Sequence, residues 1–364
     1  MKRIVPYVLV IMLVIVGMIF FWQDLSHDDQ QNNKIKVGLI LNGSAQDRSW
    51  CQSHYEGLQI ATNALKLDIV LAENVPENQE ARKVIDGMVK QGCRAIIATS
   101  FGYGDVMMRA AKTYPQVSFL HATGLDYSKN LTSFFGRMYQ VRYLSGIVAG
   151  LQSKSGIIGY VAAMNIPEVV RGINAFTLGV HSVAPQAKVY VKYVNSWNDD
   201  GLTAQATHEL INKYHQIDIL TMHTNSLEPL KIAEQRNIGS IGYNYDNAKR
   251  FPRAYLTAAV WRWDSVYLPM LRDCLQGGYE GGHFWFGMEK GVAALAPCTR
   301  NVKPHVRQGI VAARKRLERD AFDVFYGPVY DNKGKLRVKQ GENLSDEQLL
   351  NDFDWYVQGV VVDE

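Results

Sequence analysis

The amino-acid sequence predicts an α/β protein of two doubly wound lobes with a ligand cleft between them. From residue 34 onward, short apolar runs rich in Val and Ile alternate with amphipathic helical stretches. This alternation is typical of βαβ units and a parallel sheet. It restarts near residue 140 with units of similar length, which favours two lobes. Right-handed crossovers would wind each sheet doubly.

The first lobe is expected to span residues 34–140. The predicted strands are short and apolar, and the predicted helices have amphipathic spacing. The strands lie at 36–41, 67–72, 95–99 and 117–121, and the helices at 54–65, 78–91 and 105–113. A further helix, predicted at 139–154, suits close packing because it carries several small residues: Ser145, Gly146, Ala149 and Gly150.

The second lobe is expected to span residues 141–259. Its predicted strands lie at 157–162, 188–194, 217–222, 239–243 and 254–260, and its helices at 167–183, 201–214 and 227–236. Residues of about 260–300 are expected to complete the first lobe and 301–364 the second. Residues 260–364 carry a predicted helix soon after residue 260, then a strand-like stretch at 284–296, helices at 304–320 and 345–350, and a hairpin turn at 331–334.

Composition narrows the functional classes. The 364 residues are 47% hydrophobic and 20% charged, which is typical of a globular protein. The net charge of +4 is too small to indicate a nucleic-acid partner. Four cysteines without C-x-x-C spacing and nine histidines without metal spacing predict neither a metal site nor a cofactor. A Cys274–Cys298 disulfide is left open by the sequence.

An apolar run near the N-terminus predicts a transmembrane helix. Residues 4–22 are 19 uncharged positions, enough to cross a hydrocarbon core of roughly 30 Å. Lys2 and Arg3 precede the run and acidic residues follow it, which places the bulk of the protein outside the cytoplasm. A cleaved signal peptide is the alternative, but the run is long and no A-x-A-like site follows. Residues 1–33 are therefore predicted to be an anchor and tether.

Aromatic and polar residues occur together where predicted strands end. In open parallel sheets these ends hold ligands. Aromatic faces and nearby amides or carboxylates suit a flat polar molecule, although each aromatic alone could equally be a packing residue. The groups are Asp47 with Trp50, Phe101 with Gly102, Trp197 with Asn195 and Asn198, His223 with Asn225, Asn244 with Asp246, and Trp261.

Residues 47–57, D-R-S-W-C-Q-S-H-Y-E-G, resemble the D-K-S-F-N-Q-S-x-W-E-G signature of the basic membrane protein family. Its members are extracytoplasmic solute-binding proteins of ABC transporters, including purine-nucleoside receptors. The resemblance covers about residues 34–362 and implies the type I periplasmic-binding fold. It continues through four further segments, at 143–146, 166–179 (I-P-E-V-V-R-G-I-N-A-F-T-L-G), 241–246 and 325–329, and ends at 355–360.

The resemblance implies that two aromatic side chains hold the ligand. Trp50 matches the aromatic residue that stacks on one face of the purine, and Trp197 matches the one that stacks on the other. Asp47 matches the aspartate of the first loop. Cys51 stands where the family has an asparagine.

The same resemblance implies a ribose site that differs from that of the nucleoside receptors. Asn244 replaces the first aspartate of the family's G-V-D-x-D segment, whereas Asp246 is kept. Trp261 stands where nucleoside receptors have a lysine. These departures, with 223–225 (H-T-N) and 260–263 (V-W-R-W), resemble a subgroup that binds a free purine base such as adenine.

The sequence therefore predicts a solute-binding protein for a purine base or nucleoside, with an ABC permease as its partner. A membrane-tethered purine sensor with a signalling partner is the alternative. A nucleoside-metabolising enzyme using Asp47 and Asp246 is weaker, because no nucleophile–base motif is present. The predicted ligand-binding residues are Asp47, Trp50, Cys51, Phe101, Gly102, Trp197, His223, Asn244, Asp246 and Trp261.

Overall fold

The computed structural model describes residues 34–317, 323–351 and 353–363. These residues form two large, mostly parallel sheets flanked by helices, with a small antiparallel hairpin. The predicted membrane anchor at residues 4–22 lies outside the described residues. Among the helices that are described, none is both long and apolar enough to span a bilayer.

The first sheet has six strands, all parallel. They are β1 (Lys36–Ile40), β2 (Asp68–Ala72), β3 (Cys93–Ala98), β4 (Ser118–Ala122), β5 (Leu131–Gly136) and β11 (His283–Phe286). Their spatial order is β11–β5–β4–β3–β1–β2. The associated helices are α1 (Trp50–Leu65), α2 (Gln79–Lys90), α3 (Gly104–Thr113) and α8 (Asp264–Gln276).

The second sheet has seven strands, β6 (Ile157–Ala162), β7 (Lys188–Tyr193), β8 (Ile219–His223), β9 (Gly239–Asn244), β10 (Tyr255–Trp261), β12 (Ala293–Leu295) and β15 (Val360–Asp363). Their order is β12–β10–β9–β8–β6–β7–β15, and only β12 runs antiparallel. The remaining helices are α4 (Met138–Gln152), α5 (Pro167–His181), α6 (Asp200–Lys213), α7 (Glu228–Arg236), α9 (Pro304–Leu317) and α10 (Asp346–Asn351).

The two sheets share one winding pattern. The order β2–β1–β3–β4–β5 in the first sheet is repeated as β7–β6–β8–β9–β10 in the second. In this doubly wound arrangement the winding reverses between β1 and β3 and between β6 and β8, and the crevice beyond the carboxyl ends at such a reversal holds ligands. The fold therefore provides two such crevices, one in each sheet.

The chain passes between the sheets at three places, after β5, after β10 and after β11. Residues of about 260–300 were expected to complete the first lobe. In the structure they supply α8, which packs on α1, and β11 to the first sheet, whereas β12 joins the second.

Helices α4 and α5 approach each other closely through two glycines. A Cβ atom placed on Gly146 would lie 2.0 Å from the Phe176 carbonyl oxygen, and one placed on Gly179 would lie 2.0 Å from that of Tyr143. Neither position has room for a side chain. The close packing that small residues predict for residues 139–154 is thus confirmed.

Most predicted elements are present within a few residues, and the predicted hairpin turn joins β13 (Val329–Tyr330) to β14 (Leu336–Val338), with Gly334 at φ 82°. Two strands were not predicted. Strand β5 contains Thr132 and Ser133 and shows no apolar–polar alternation, because it is covered on both faces. Strand β15 is four residues long and pairs only with the distant β7.

Candidate ligand-binding site

Most of the predicted site residues lie at the carboxyl ends of strands. Trp50 begins α1 after β1, and Phe101 follows β3, so both flank the winding reversal of the first sheet. In the second sheet Trp197 follows β7 and His223 ends β8. Asn244 and Trp261 end β9 and β10. The fold thus places these side chains along the two sheet edges where ligands bind.

Asp47 holds the loop that carries Trp50. Its Oδ1 accepts hydrogen bonds from the backbone N–H groups of Ser49 (2.8 Å) and Gln52 (2.9 Å), and its Oδ2 accepts one from Cys51 (2.9 Å). A carboxylate that accepts the free N–H groups of a helix start stabilises that start. Asp47 therefore fixes the position of Trp50 at the first turn of α1.

Trp50 belongs to an aromatic cluster that we call the first wall: Trp50, His54, Phe135, Trp261 and Trp263. The half-buried Trp50 ring meets Trp263 edge-on at 5.5 Å and Trp261 edge-on at 5.9 Å. Its Nε1 donates to the Thr99 carbonyl oxygen at 2.7 Å. The hydrogen bond to Thr99 and the contacts with the other rings thereby fix the orientation of the Trp50 ring.

Trp263 is the centre of the first wall. It is fully buried, and its ring stacks on His54 at 4.2 Å and on Trp261 at 4.6 Å. Its Nε1 donates to Ser53 Oγ at 3.1 Å. Gly57 makes this possible, because a Cβ atom there would lie 2.7 Å from the Trp263 Cβ atom. The V-W-R-W segment thus packs into the first lobe from the crossing that follows β10.

His54 is a neutral member of the first wall. Its Nδ1 lies 2.5 Å from the Tyr267 hydroxyl, whereas its buried Nε2 has no hydrogen-bond partner among the described residues. Burial alone holds the pKa of His54 well below its usual value. The first wall therefore adds no charge to the cleft from this histidine.

Asn244 connects the two sides of the cleft. Its Nδ2 donates to Ser49 Oγ (3.1 Å), in the loop before α1, and to Asn225 Oδ1 (2.8 Å), after β8. Its Oδ1 accepts from Trp261 Nε1 at 2.9 Å. The backbone of Asn244 has φ +66°, a conformation that asparagine tolerates better than most residues. All the polar atoms of this amide have protein partners.

A second, more polar cluster lies at strand ends of the second sheet. It consists of Trp197, His223, Glu168 and Asn225, and we call it the second wall. The half-buried Trp197 ring meets the His223 ring edge-on at 6.0 Å. The Trp197 carbonyl oxygen accepts from the Asn225 backbone N–H at 2.9 Å. Within the described part of the chain no direct ring contact joins Trp197 to Trp50.

His223 and Glu168 are hydrogen-bonded across the winding reversal of the second sheet. The fully buried His223 has its Nε2 at 3.2 Å from Glu168 Oε1 and its Nδ1 at 3.1 Å from the Tyr160 hydroxyl. Because an ionised carboxylate can only accept, Nε2 carries the hydrogen and Nδ1 accepts from Tyr160. The hydrogen bonds thus fix one tautomer of His223.

The charges around Glu168 keep it ionised. Burial raises the pKa of its carboxyl, but the hydrogen bond from His223 and the charges of Arg171 and Arg142 outweigh this and bring that pKa below its usual value. Burial lowers the pKa of His223, and Glu168 only partly opposes that effect. The pair is therefore a carboxylate beside a neutral imidazole.

The remaining predicted residues have other surroundings. Cys51 is buried with its Sγ 3.4 Å from Asn42 Oδ1, and burial, reinforced by Asp47, raises the pKa of its thiol. Phe101 is 63% exposed. Gly102 lies against Glu77 and has no room for a side chain. Asp246 is exposed and accepts from the Ala248 backbone N–H at 3.0 Å, away from the Asn244 network.

The sequence did not predict the role of two side chains. Glu168 lies inside the specific segment at 166–179, and the signal that could have found it is its place one residue after Pro167, in the first turn of a helix that follows a strand. His54 could have been found from its spacing of four residues from Trp50, which places both on one face of α1.

The cysteines and acidic groups of the described residues form neither a disulfide nor a metal-binding cluster. All four cysteines are free, so the open alternative of a Cys274–Cys298 disulfide is not realised. In the described ranges no group of three or more His, Cys, Asp or Glu side chains could hold a metal ion.

Comparison with known proteins gives the family. Residues 34–320 match the family of PnrA-like ABC transporter substrate-binding proteins. A purine-binding protein of Brucella abortus is 36% identical over 90% of this chain and 93% of its own. A Haloferax volcanii protein named for glucose binding is 31% identical over 91% of this chain and 81% of its own.

Solved structures show the same fold. A transcriptional activator of the comK gene from Bacillus halodurans superposes with a TM-score of 0.68 at 24% identity, over 79% of this chain and 99% of its own. Family model, relatives and fold agree with the resemblance seen at residues 47–57. The chain belongs to the PnrA-like family of ABC transporter substrate-binding proteins, the family that also contains the basic membrane proteins.

Proposed function

We propose that the protein binds a free purine base between the first wall and the second wall and delivers it to an ABC permease. The observation that carries this proposal is that Trp50 and Trp197, both half-buried, follow strands of different sheets, and that Asn244 hydrogen-bonds the loops beside them through Ser49 and Asn225. Two tryptophans can stack on both faces of a purine, each contributing about 1–3 kcal/mol. The purine-binding relative from Brucella abortus supports the same ligand class.

The hydrogen bonding of Asn244 supports a base rather than a nucleoside. A ribose needs free polar groups for its hydroxyls, but Ser49, Asn225 and Trp261 already occupy the Asn244 amide. Trp261 is 4% exposed and offers no cation in place of the family's lysine. Of the positions that resemble a ribose site, Asn244 and Trp261 thus make internal contacts, whereas Asp246 is exposed.

The ligand test is calorimetry on the full chain in mild detergent. The panel is adenine, hypoxanthine, guanine, adenosine, inosine and glucose, the last because of the Haloferax volcanii relative. We expect heat from at least one free base, weaker binding of the nucleosides and none of glucose. Absence of heat from every purine, or tighter binding of glucose, would refute the proposal.

The proposal involves binding without chemistry. Members of the family bind solutes. The hydrogen bonds of Asp47 at the start of α1 and the exposed position of Asp246 in a separate turn support binding over catalysis by this pair. Incubation with adenosine or inosine followed by chromatography should release no free base. Release of base that Asp47→Asn abolishes would favour the enzyme instead.

We further propose that residues 4–22 anchor the protein on the outer face of the cytoplasmic membrane. The apolar run with its preceding Lys2 and Arg3 supports this orientation, and the first cysteine that could carry a lipid is Cys51, far downstream. The same observation favours a second candidate, a tethered purine sensor. Copurification with a permease and its ATPase would favour transport, and copurification with a signalling protein alone would favour sensing.

A further inference from the structure

Glu168 lies where a ligand edge should meet the second sheet. It is in the first turn of α5, directly after β6, and its partner His223 ends β8. The reversal of winding falls between these two strands, and ligands of doubly wound sheets bind beyond that point. Its neighbours Val169 and Val170 are buried, whereas the Glu168 side chain is partly exposed.

Within the described ranges, one oxygen of Glu168 has a hydrogen-bond partner and the other has none. Oε1 accepts from His223, whereas Oε2 has no hydrogen-bond partner among the described residues. The Glu168 side chain keeps 22% of its surface exposed while that of His223 has none. Among the described residues, Oε2 is therefore a free acceptor on a partly exposed side chain, and it can accept one further N–H group.

The Trp197 ring is linked to Glu168 through His223 and is suited to stacking on a flat ligand. Trp197 contacts the same His223 that holds Glu168, so a base stacked on Trp197 would have its edge near the carboxylate. A free purine carries one N–H group in its imidazole ring, and this N–H is common to adenine, hypoxanthine and guanine. In a nucleoside the ribose replaces it.

We propose that Glu168 Oε2 accepts a hydrogen bond from the imidazole N–H of a free purine and thereby selects bases against nucleosides. This inference rests on the proposed function and adds a specificity-determining residue to it. A nucleoside lacks the donor and would leave the carboxylate desolvated without a partner, which is costly. Hydrogen bonds to charged groups are the stronger class.

The first test compares ligands on the unchanged protein. Adenine should bind at least about 10-fold more tightly than 9-methyladenine, which lacks the N–H, since a charge-assisted hydrogen bond contributes at least that factor. With ¹⁵N-labelled adenine, the imidazole N–H should shift downfield in the complex and exchange slowly with water. Equal affinity of the two ligands, or an N–H that exchanges as in free adenine, would overturn the inference.

The second test changes the carboxylate. In Glu168→Gln the amide oxygen can keep the His223 bond, and the amide N–H₂ then faces the purine N–H donor. We expect adenine affinity to fall about 10- to 100-fold, and the preference for adenine over 9-methyladenine to shrink to about 3-fold or less. Unchanged adenine affinity in a variant that unfolds at the same temperature would refute the role.

A matched control separates this hydrogen bond from general charge. Glu228 is in the first turn of α7, its side chain is 20% exposed, and it pairs with Lys231. Glu228→Gln removes the same charge from the same edge of the sheet and should change adenine affinity less than about 2-fold. An equal loss in both variants would contradict a specific contact. If no purine binds at all, the proposed function itself fails; if adenine binds regardless of Glu168, only this inference fails.

Discussion

The two walls are built differently, although the sheets behind them share one winding order. The first wall joins side chains of the first lobe to Trp261, which ends β10 of the second sheet, whereas the second wall comes from the second sheet and its loops alone. In the first wall, five rings pack on one another, and the central Trp263 is fully buried between His54 and Trp261. In the second wall, Trp197 is accompanied by an ionised Glu168 and a neutral His223. One wall offers apolar area and the other offers a directed hydrogen-bond acceptor.

This difference indicates how one fold can combine aromatic stacking with discrimination by a hydrogen bond. Stacking depends on area and tolerates any purine, whereas a hydrogen bond discriminates because an unpaired buried acceptor is costly. Changes in the first wall should therefore affect stability and the affinity for all bases. A change at Glu168 in the second wall should also affect the choice among ligands.

The largest expected effect is on stability. Trp263→Ala should lower the free energy of unfolding by about 3–5 kcal/mol, because it leaves a cavity between two stacked rings. Urea unfolding followed by circular dichroism measures this. Phe284→Ala is the control, since that ring is 41% exposed on the edge strand β11, and it should cost about 0.5 kcal/mol or less. Equal costs would contradict a packed first wall.

The connection between the walls should have the next largest effect. Asn244→Ala removes three hydrogen bonds and leaves Trp261 Nε1 buried without an acceptor, so we expect a loss of about 1–3 kcal/mol in unfolding free energy. Asn244→Gly is the matched control because glycine accepts the φ of +66° without strain. A glycine variant as stable as the parent would show that backbone strain, and not the network, determines the loss.

The next expected effect is a loss of purine affinity when Trp50 is changed. Trp50→Ala should cost at least about 1 kcal/mol in purine affinity, equally for every base. Trp50→Phe should recover most of it, although the bond to the Thr99 carbonyl is lost. Calorimetry with adenine and guanine measures both. A Trp50→Ala variant that binds both bases normally would remove the ring from the site.

The smallest expected effect is the difference between two buried histidines, His54 and His223, in how stability depends on pH. Burial lowers the pKa of both His54 and His223, but only His223 has a carboxylate beside it. An unfolded histidine titrates near pH 6.5, so below that pH the unfolded state binds more protons and stability falls. The loss is up to about 1.4 kcal/mol per pH unit for each histidine and continues until its folded pKa is reached.

The carboxylate should make the two histidines differ. His54 stays neutral to lower pH, so His54→Gln should flatten the decline of stability between about pH 6.5 and 5 more than His223→Gln does. Urea unfolding across this range decides it. A steeper contribution from His223 would contradict the charge assignment of the second wall.

Local patterns determined much of this molecule. The alternation of apolar runs with amphipathic stretches predicted most strands and helices, and strand ends predicted where Trp50, Trp197, His223 and Asn244 would lie. Both signals are local, because the period of a strand or helix and the geometry of a strand end are set by neighbouring residues. Strand β5 was not predicted, because a strand covered on both faces lacks the alternation of apolar and polar residues.

The partners of these residues were decided only by the tertiary structure. Glu168 and His223 are 55 positions apart and meet because β6 and β8 are adjacent in the sheet. Trp263 stacks on His54 because α8 returns to α1 after the chain has passed through the second sheet. The sequence alone supplies the side chains, but long-range strand order and helix packing determine which of them touch. They make the first wall aromatic and place the Glu168 carboxylate beside His223 in the second.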